Sequence, residues 1–350
     1  MAARRVTQAE VAAAAGVSKT AVSFALNDPE GGRLSTETVE RVARIARELG
    51  YRPNRTARSL RTKQSESIGF LSHDVTITRF AMGMISGALH EANAHEQTLL
   101  ITERNVDSTP ASAALDQGHA LAALLDRQID GLIVAEMGTR LIERPDVPAS
   151  LPLVFLNCLG PPEHPSVLPA EVEGARSVVQ ALLASGDREG IIVVGADREL
   201  ETDPRVSVTI GDRLATIRSE LRSGGVASWT ELPARHWTVD AGYALMSHHL
   251  RESPGEVRGA VALNDRLAFG IYQACQEAGL RVGIDLSVVS FDDDEISTSL
   301  RPGLTTAALP YVEMGETAVR LLLDENAEPG VHRIAMPLRE RESVRRPEAR

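Results

Sequence analysis

Residues 6–28, VTQAEVAAAAGVSKTAVSFALND, read as two short helices joined by one tight turn. Thr7 and Glu10 have the spacing of a capping box, in which the threonine hydroxyl accepts from the Glu10 amide and the Glu10 carboxylate reaches back to the Thr7 amide. The helix they start runs to about Ala14 and stops at Gly16, a residue type that adopts positive φ without strain. Ser18 caps a second helix over 19–26, and Ala12, Val17 and Val22 are spaced to pack the two together. Helix, short glycine turn, helix is the geometry that lays a second helix into a major groove. It is also the geometry of an ordinary helical corner, so this stretch alone leaves both open.

The flanking sequence narrows the choice. A third helix is capped by Ser35, carries Glu37 in its first turn and presents Val39, Val42, Ala46 and Leu49 as an apolar stripe. Gly50 ends it and Pro53 prevents its resumption. NRTARSLR (54–61) is then a short helix candidate with three arginines. A helix of that length is marginal alone in water, so it should order mainly when something holds it. Residues 1–63 contain twelve Lys and Arg against six Asp and Glu, a net +6, in a chain whose formal net charge is −11; the remainder carries −17. A basic head on an acidic body is the footprint of a polyanion-binding module, though a solvated helical surface has the same charges.

VTQAEVAAAAGVSKTAVSFALND followed by STETVERVARIARELGYRPNRTARSL (35–60) resembles the lac repressor (LacI/GalR) family in order and spacing of elements. The resemblance implies that the second helix reads the major groove, with Lys19, Thr20, Ser23 and Phe24 at the matching positions. It implies a hinge helix at about 54–62 that wedges Leu60, with Ala57 beside it, into the minor groove. Asn27, Tyr51, Asn54 and Arg55 match positions that support the head or touch phosphate, and Thr7, Gln8 and Ser18 complete the DNA-contacting set. Ala21 stands where the family usually has threonine, and Phe24 where it often has arginine. Arginine binds guanine with two hydrogen bonds and phenylalanine cannot; Phe24 would instead meet a thymine methyl or simply pack.

Behind the head, apolar runs at 68–71, 99–102, 131–135, 153–156, 191–195, 260–263 and 288–291 alternate with helical stretches at 80–94, 111–127, 172–185, 211–223, 239–251, 265–279 and 311–323. Such alternation implies parallel sheets covered by helices, in one large sheet or two lobes. GAVALNDRLAFGIYQACQEAGLRVGIDLSVVSFDDDE (259–295) followed by PGLTTAAL resembles the same family's C-terminal signature. That resemblance favours two lobes of the periplasmic-binding-protein type I kind, with three chain crossings between them. The fold class expected is therefore an all-α helix-turn-helix head plus an α/β two-lobed domain. The head and hinge would occupy 1–63, and 64–350 would form the effector-binding and dimerisation domain. Its lobes would comprise about 65–160 plus 295–323, and 165–292 plus 324–350.

Ligands of doubly wound sheets sit at the carboxyl ends of the strands. That places Asp74 and Phe80 after the first run, Glu136 after 131–135, Asn157 after 153–156, Asn264 after 260–263 and Asp292 after 288–291 among the effector-binding candidates. Asp265 reads as a helix cap. The resemblance adds Arg213, at an effector-binding arginine position, and Trp237, where the family places a ring that stacks on the ligand. Polar groups with one aromatic platform suit a sugar or another polar metabolite, and a bidentate arginine would also suit a carboxylate. The body departs from its relatives at Ala170, Asp187, Thr216 and 77–79, where Arg79 adds positive charge.

No phosphate loop, nucleophile elbow or zinc-site histidine spacing is present, so no catalytic residue, metal or cofactor is expected. Cys158 and Cys275 cannot build a disulfide framework and fit a reduced, cytoplasmic, nucleoid-associated protein. No stretch approaches the roughly 18 apolar residues of a membrane span, no signal peptide is evident, and 339–350 lack the leucine heptads of a tetramerising tail. The function expected is a homodimeric repressor on a palindromic double-stranded DNA operator, controlled by a small polar effector, most naturally a sugar. Two other readings stay open: a regulator whose degenerate cleft answers to a partner protein, and an α/β enzyme with an incidental helical head.

Overall fold

The computed structural model describes residues 6–27, 33–51, 64–104, 110–253 and 255–346, leaving aside the side chains of Asn27, Phe80 and 110–117. The chain divides into two compact units, Met1–Ser65 and Glu66–Arg350. The hinge candidate at 54–62, with Asn54, Arg55, Ala57 and Leu60, lies outside the described residues.

In the first unit, α1 (Gln8–Ala15), α2 (Lys19–Asn27) and α3 (Thr36–Glu48) form a small bundle. The capping box at Thr7 forms with both hydrogen bonds, and Gly16 closes α1 at φ 66°. The chain bends by 99° between Gln8–Ala15 and Lys19–Leu26, within the range of a helix-turn-helix. Ser18 Oγ accepts from the Ala21 amide at 3.0 Å, and Ser35 Oγ from the Thr38 amide at 3.3 Å. Val11, Ala12, Ala15, Val22, Ala25, Val42 and Ala46 make the buried centre, with Val17 packed against it. No single described helix is long and apolar enough to cross a membrane.

The second unit contains two six-stranded sheets. The first runs β11 (Gly330–Ile334), β5 (Pro165–Pro169), β4 (Leu153–Leu156), β3 (Gly131–Glu136), β1 (Ser67–His73), β2 (Thr98–Glu103), all parallel. The second runs β12 (Leu338–Arg339), β10 (Thr305–Ala308), β9 (Ser287–Asp292), β8 (Gly259–Ala262), β6 (Ile191–Ala196), β7 (Trp229–Pro233), parallel except for β12. Central strands such as β3 and β6 are buried along their whole length, which is why they read as continuous apolar runs. Helices α4 (Met82–Ala94), α5 (Pro110–Leu125) and α12 (Tyr311–Leu323) belong to the first lobe. Helices α6 (Glu171–Leu183), α7 (Arg198–Thr202), α8 (Ile210–Ser223), α9 (Val239–Glu252), α10 (Asp265–Glu277) and α11 (Glu295–Ser299) belong to the second. Phe70, Phe155 and Phe291 are fully buried, each worth roughly 1.5–3 kcal/mol. Helices α4 and α12 touch backbone to backbone, since a Cβ on Gly87 would lie 1.9 Å from the Val312 carbonyl oxygen.

The chain crosses between lobes after β5, after β10 and before β12. The lobe boundaries therefore differ from those expected. Residues 165–169 and 330–334 belong to the first sheet, because β5 pairs with both β4 and β11; 295–308 belong to the second, because β10 pairs with β9. β5 shows no clear apolar run because proline bounds it at both ends, and β10, Thr-Thr-Ala-Ala, none because it lacks large apolar side chains.

Candidate functional site

In the head, Lys19 and Thr20 at the start of α2 are exposed, as is Ser18, while Ser23 and Phe24 one turn on are half-buried. Gln8 ties the two helices together, its Nε2 donating to the Lys19 carbonyl at 3.2 Å. The Arg33 guanidinium lies 4.7 Å from the centre of the Phe24 ring, so the aromatic residue at the arginine position is itself covered by an arginine. Tyr51 is half-buried, and that burial raises its hydroxyl pKa.

The second unit holds a cavity of about 450 Å³ where the carboxyl ends of both sheets converge. Thr78, Met137, Thr139 and Asn157 line it from the first lobe; Glu171, Ser207, Thr209, Arg213, Trp237, Asn264, Arg266 and Asp292 line it from the second; Leu309 and Tyr311 lie at a crossing. A neighbouring space of about 840 Å³ shares Asp292 and Tyr311 and opens toward Arg79 and Glu295.

Arg213 is the most constrained side chain in the cavity wall. It is 2% exposed. Its Nε donates to Glu171 Oε2 at 2.6 Å, its Nη2 to Glu171 Oε1 at 2.8 Å and its Nη1 to the Leu263 carbonyl at 2.7 Å. The guanidinium stacks 4.2 Å from the Phe291 ring centre and 5.9 Å from that of Trp237. Burial alone would lower the arginine's pKa; the Glu171 carboxylate, 2% exposed, outweighs it and the net shift is upward. Trp237 is pinned by its Nε1, which donates to the Gly195 carbonyl at 2.9 Å.

Asp292 closes β9 with φ 112°, a conformation strained for a non-glycine residue. Burial and the nearby Asp265 push its carboxyl well above the ordinary value, with Arg213 opposing. Asn264 caps α10, accepting from the Leu267 amide at 2.8 Å, and its Nδ2 donates to the Trp237 carbonyl at 3.3 Å. The cap is therefore Asn264 rather than Asp265. Asp265 is fully buried below it and accepts from Ser290, from Thr306 at 2.9 Å and from the Asp294 amide at 2.8 Å. Asn157, at φ 56°, spends its amide on the carbonyls of Glu136 and Met137 at 2.9 and 3.0 Å.

Asp74 and Glu136, expected in the cleft, do not line this cavity. Glu136 faces His73 at 2.7 Å and Arg104 and Arg140 at 3.1 Å, an internal ion cluster that satisfies its charge. The Asp74 amide is turned to Glu103 at 2.7 Å, and its Oδ1 is buried without a hydrogen-bond partner among the described residues. The Phe80 side chain lies outside the described residues. Conversely, Glu171 and the hydroxyls of Thr139, Ser207 and Thr209 were not anticipated. Thr139 Oγ1 lies 2.8 Å from both Ser207 Oγ and Thr209 Oγ1, which joins the lobes across the cavity rim. The available signal for Glu171 was an acid inside the apolar stretch VLPAEVEG. Among the described residues, no group of three His, Cys, Asp or Glu is arranged to hold a metal ion.

Comparison with known proteins places this geometry. Residues 7–54 match the bacterial regulatory proteins of the lacI family, and residues 179–344 match the periplasmic binding protein-like domain. The chain is 29% identical over 332 residues to the ribose operon repressor of Haemophilus influenzae, covering 92% of each chain. It is 30% identical over 325 residues to the HTH-type transcriptional regulator AscG of Escherichia coli, covering 91% of each. A crystal structure of the lac repressor dimer bound to operator and the anti-inducer ONPF superimposes with a TM-score of 0.76 at 26% identity, over 98% of this chain and all of that one.

Proposed function

Because the chain belongs to the lacI family of bacterial regulatory proteins and is a DNA-binding transcriptional repressor, we propose that it acts as a homodimer on a pseudo-palindromic operator and is switched by a small polar metabolite, most naturally a sugar, held in the interlobe cavity. One observation carries the ligand reading: a 450 Å³ cavity at the strand ends, walled by both lobes, with an indole face, a fixed guanidinium, Asp292 and a row of hydroxyls. Relatives named for a ribose operon and for the lac repressor bound to ONPF support the class of ligand. Two heads would read two half-sites, since operator symmetry mirrors protein symmetry. In the head, Lys19, Thr20, Ser23 and Phe24 are the base-facing set; Thr7, Gln8, Ser18, Asn27, Tyr51, Asn54 and Arg55 the supporting or phosphate-facing set; Ala57 and Leu60 the minor-groove set.

Occupancy of the cavity changes how the lobes close, and thereby the separation at which two hinge segments present themselves to DNA. The coupling is reciprocal, so operator DNA must change ligand affinity by the same factor as ligand changes DNA affinity. The test is fluorescence anisotropy on operators selected from random duplexes, with and without a panel of neutral sugars. Selection of a two-fold symmetric sequence, and a sugar that shifts the binding curve, is expected. Failure to enrich any symmetric sequence at moderate salt would refute the operator reading; an unresponsive curve across the panel would favour control by a partner protein.

A further inference from the structure

We propose that Glu171 is a built-in counter-anion that occupies the carboxylate-binding edge of Arg213 and thereby restricts the cavity to neutral, hydroxyl-rich ligands, excluding carboxylates and phosphates. This rests on the cavity being the effector site.

An arginine recognises a carboxylate or phosphate through two parallel N–H groups on one edge of its planar fork. In this cavity that edge, Nε and Nη2, is taken by both oxygens of Glu171. The Leu263 carbonyl takes a third N–H. Of five guanidinium donors, two are left, one on each terminal nitrogen. Any group that meets them faces a guanidinium whose charge the buried Glu171 carboxylate already neutralises, so they suit hydroxyl or ether oxygens better than a second anion.

Glu171 cannot easily step aside. It is the first residue of α6, 2% exposed, and the cap residue Ala170 makes no side-chain hydrogen bond to the helix start. The helix N-terminus favours a negative charge there, and the Arg213 guanidinium lies over the Phe291 ring, 4.2 Å from its centre. An anionic ligand would have to displace a desolvated carboxylate or sit beside it in a low-dielectric wall, and both are unfavourable.

The other two arginines of the wall also have acidic neighbours, in more exposed single contacts. Arg235 lies 2.9 Å from Glu199, and Arg266 lies 4.0 Å from Asp294. Among the described residues, every arginine lining the cavity thus has a carboxylate of the chain within 4.0 Å. Besides the arginines, the polar and aromatic lining includes Asp292, the hydroxyls at 139, 207 and 209 and the Trp237 ring. That set recognises hydroxyls and apolar ring faces.

The experiment uses the full chain and its Glu171→Gln variant, which keeps the shape and removes the charge. Thermal midpoints and calorimetric titrations are recorded with sodium acetate and with sodium phosphate, against sodium chloride at equal ionic strength. The wild type should show no acetate- or phosphate-specific shift. Glu171→Gln should show one that saturates, with an affinity roughly 10-fold or more above wild type, since a charged hydrogen-bonded partner is gained. A folded Glu171→Gln protein that responds no more to acetate or phosphate than to chloride overturns the proposal. Should that variant not fold, glucose against gluconate and galactose against galacturonate on the wild type decide it. The neutral member of a pair should stabilise more; greater stabilisation by the acid overturns the proposal. An anion response in Glu171→Gln with no ligand affecting operator binding would keep the role of Glu171 and remove the regulatory one. A wild-type effector bearing a carboxylate or phosphate would do the reverse.

Discussion

Replacing Asp265 by Asn should make the body of the protein progressively more stable than wild type as pH rises. Asp265 is fully buried beneath the cavity. Burial raises its pKa; the Ser290 and Thr306 hydroxyls and the Asp294 amide pull it back, and the charge of Asp293 adds to the rise. Burial wins, and the group is lifted from 3.8 to about 7. Between those two values the folded protein holds a proton that the unfolded chain has lost, so stability falls as pH rises. A shift of about three units at about 1.4 kcal/mol each sets the ceiling near 4 kcal/mol, a large fraction of a typical domain's stability. Below the ordinary carboxylate range the penalty vanishes because both states are protonated.

Asparagine has the same shape and carries no charge, and the two hydroxyls can rotate to accept from its amide. It should therefore cost about 1 kcal/mol at low pH and gain on wild type as the wild-type carboxyl ionises. The assay is urea unfolding of both full-length proteins from about pH 5 to about pH 8, followed by tryptophan fluorescence. Both tryptophans, Trp229 and Trp237, lie in the second unit, so the signal reports on the body and not the head. Groups shifted the other way, such as Asp285, held at about 2 by Arg281, cancel in the difference between the two proteins. A difference that stays flat across the range, or one in which wild type gains on the variant as pH rises, would mean that the three donors outweigh burial. The same substitution removes the charge that, after burial, most raises the carboxyl pKa of Asp292, so that pKa should fall with it.

Phe24→Arg should move the operator preference: selection with the variant should place guanine at one symmetric position per half-site, since a bidentate arginine–guanine pair discriminates by about 1–3 kcal/mol. An unchanged selected sequence would remove Phe24 from the base-facing set. Thr139→Val removes the hydroxyl shared by Ser207 and Thr209 without changing side-chain volume. With Thr209 fully buried, the loss should be about 1–2 kcal/mol in thermal unfolding, together with weaker ligand binding; an unchanged melting curve would show that the rim bonds are remade elsewhere.

The head was legible because each of its signals is local: a capping box, a glycine at the turn, a serine cap and a stripe of small apolar residues all act within one turn of helix. The central strands were legible for a different reason, burial on both faces, which writes them as unbroken apolar runs. The lobe boundaries were not, because they depend on which strand β5, β10 and β11 pair with, and their sequences carry proline, threonine or alternating burial instead of a run. Strand-end logic found Asn157, Asn264 and Asp292 at the cavity but also selected Asp74 and Glu136, which neighbouring ionic groups draw away from it. Glu171, Thr139, Ser207 and Thr209 sit in loops or at a helix start, and only the three crossings bring them to one rim.

Under the proposed function, those rim residues are the contacts through which a ligand would act. Among the described residues, the contacts that join the lobes include the Thr139 hydroxyl cluster, Val208 N–H to the Thr139 carbonyl at 2.6 Å, Leu141 N–H to the Pro204 carbonyl at 2.7 Å, and the Arg79–Glu295 ion pair. The ion pair is 85% and 68% exposed, and such pairs contribute about 0–1 kcal/mol. The bonds made by residues 139–141 to 204–209 involve Thr209, which is fully buried, and backbone groups that would otherwise need other partners. They outweigh the ion pair. A ligand that touches Thr139 and Asn157 on one side and Arg213 and Trp237 on the other adds its binding energy to this same seam. It can bias closure only by the difference in its affinity for the closed and open arrangements. If the proposed effector acts by closing the cavity, the segment around 138–141 is its lever, and a ligand confined to one lobe would bind without moving it.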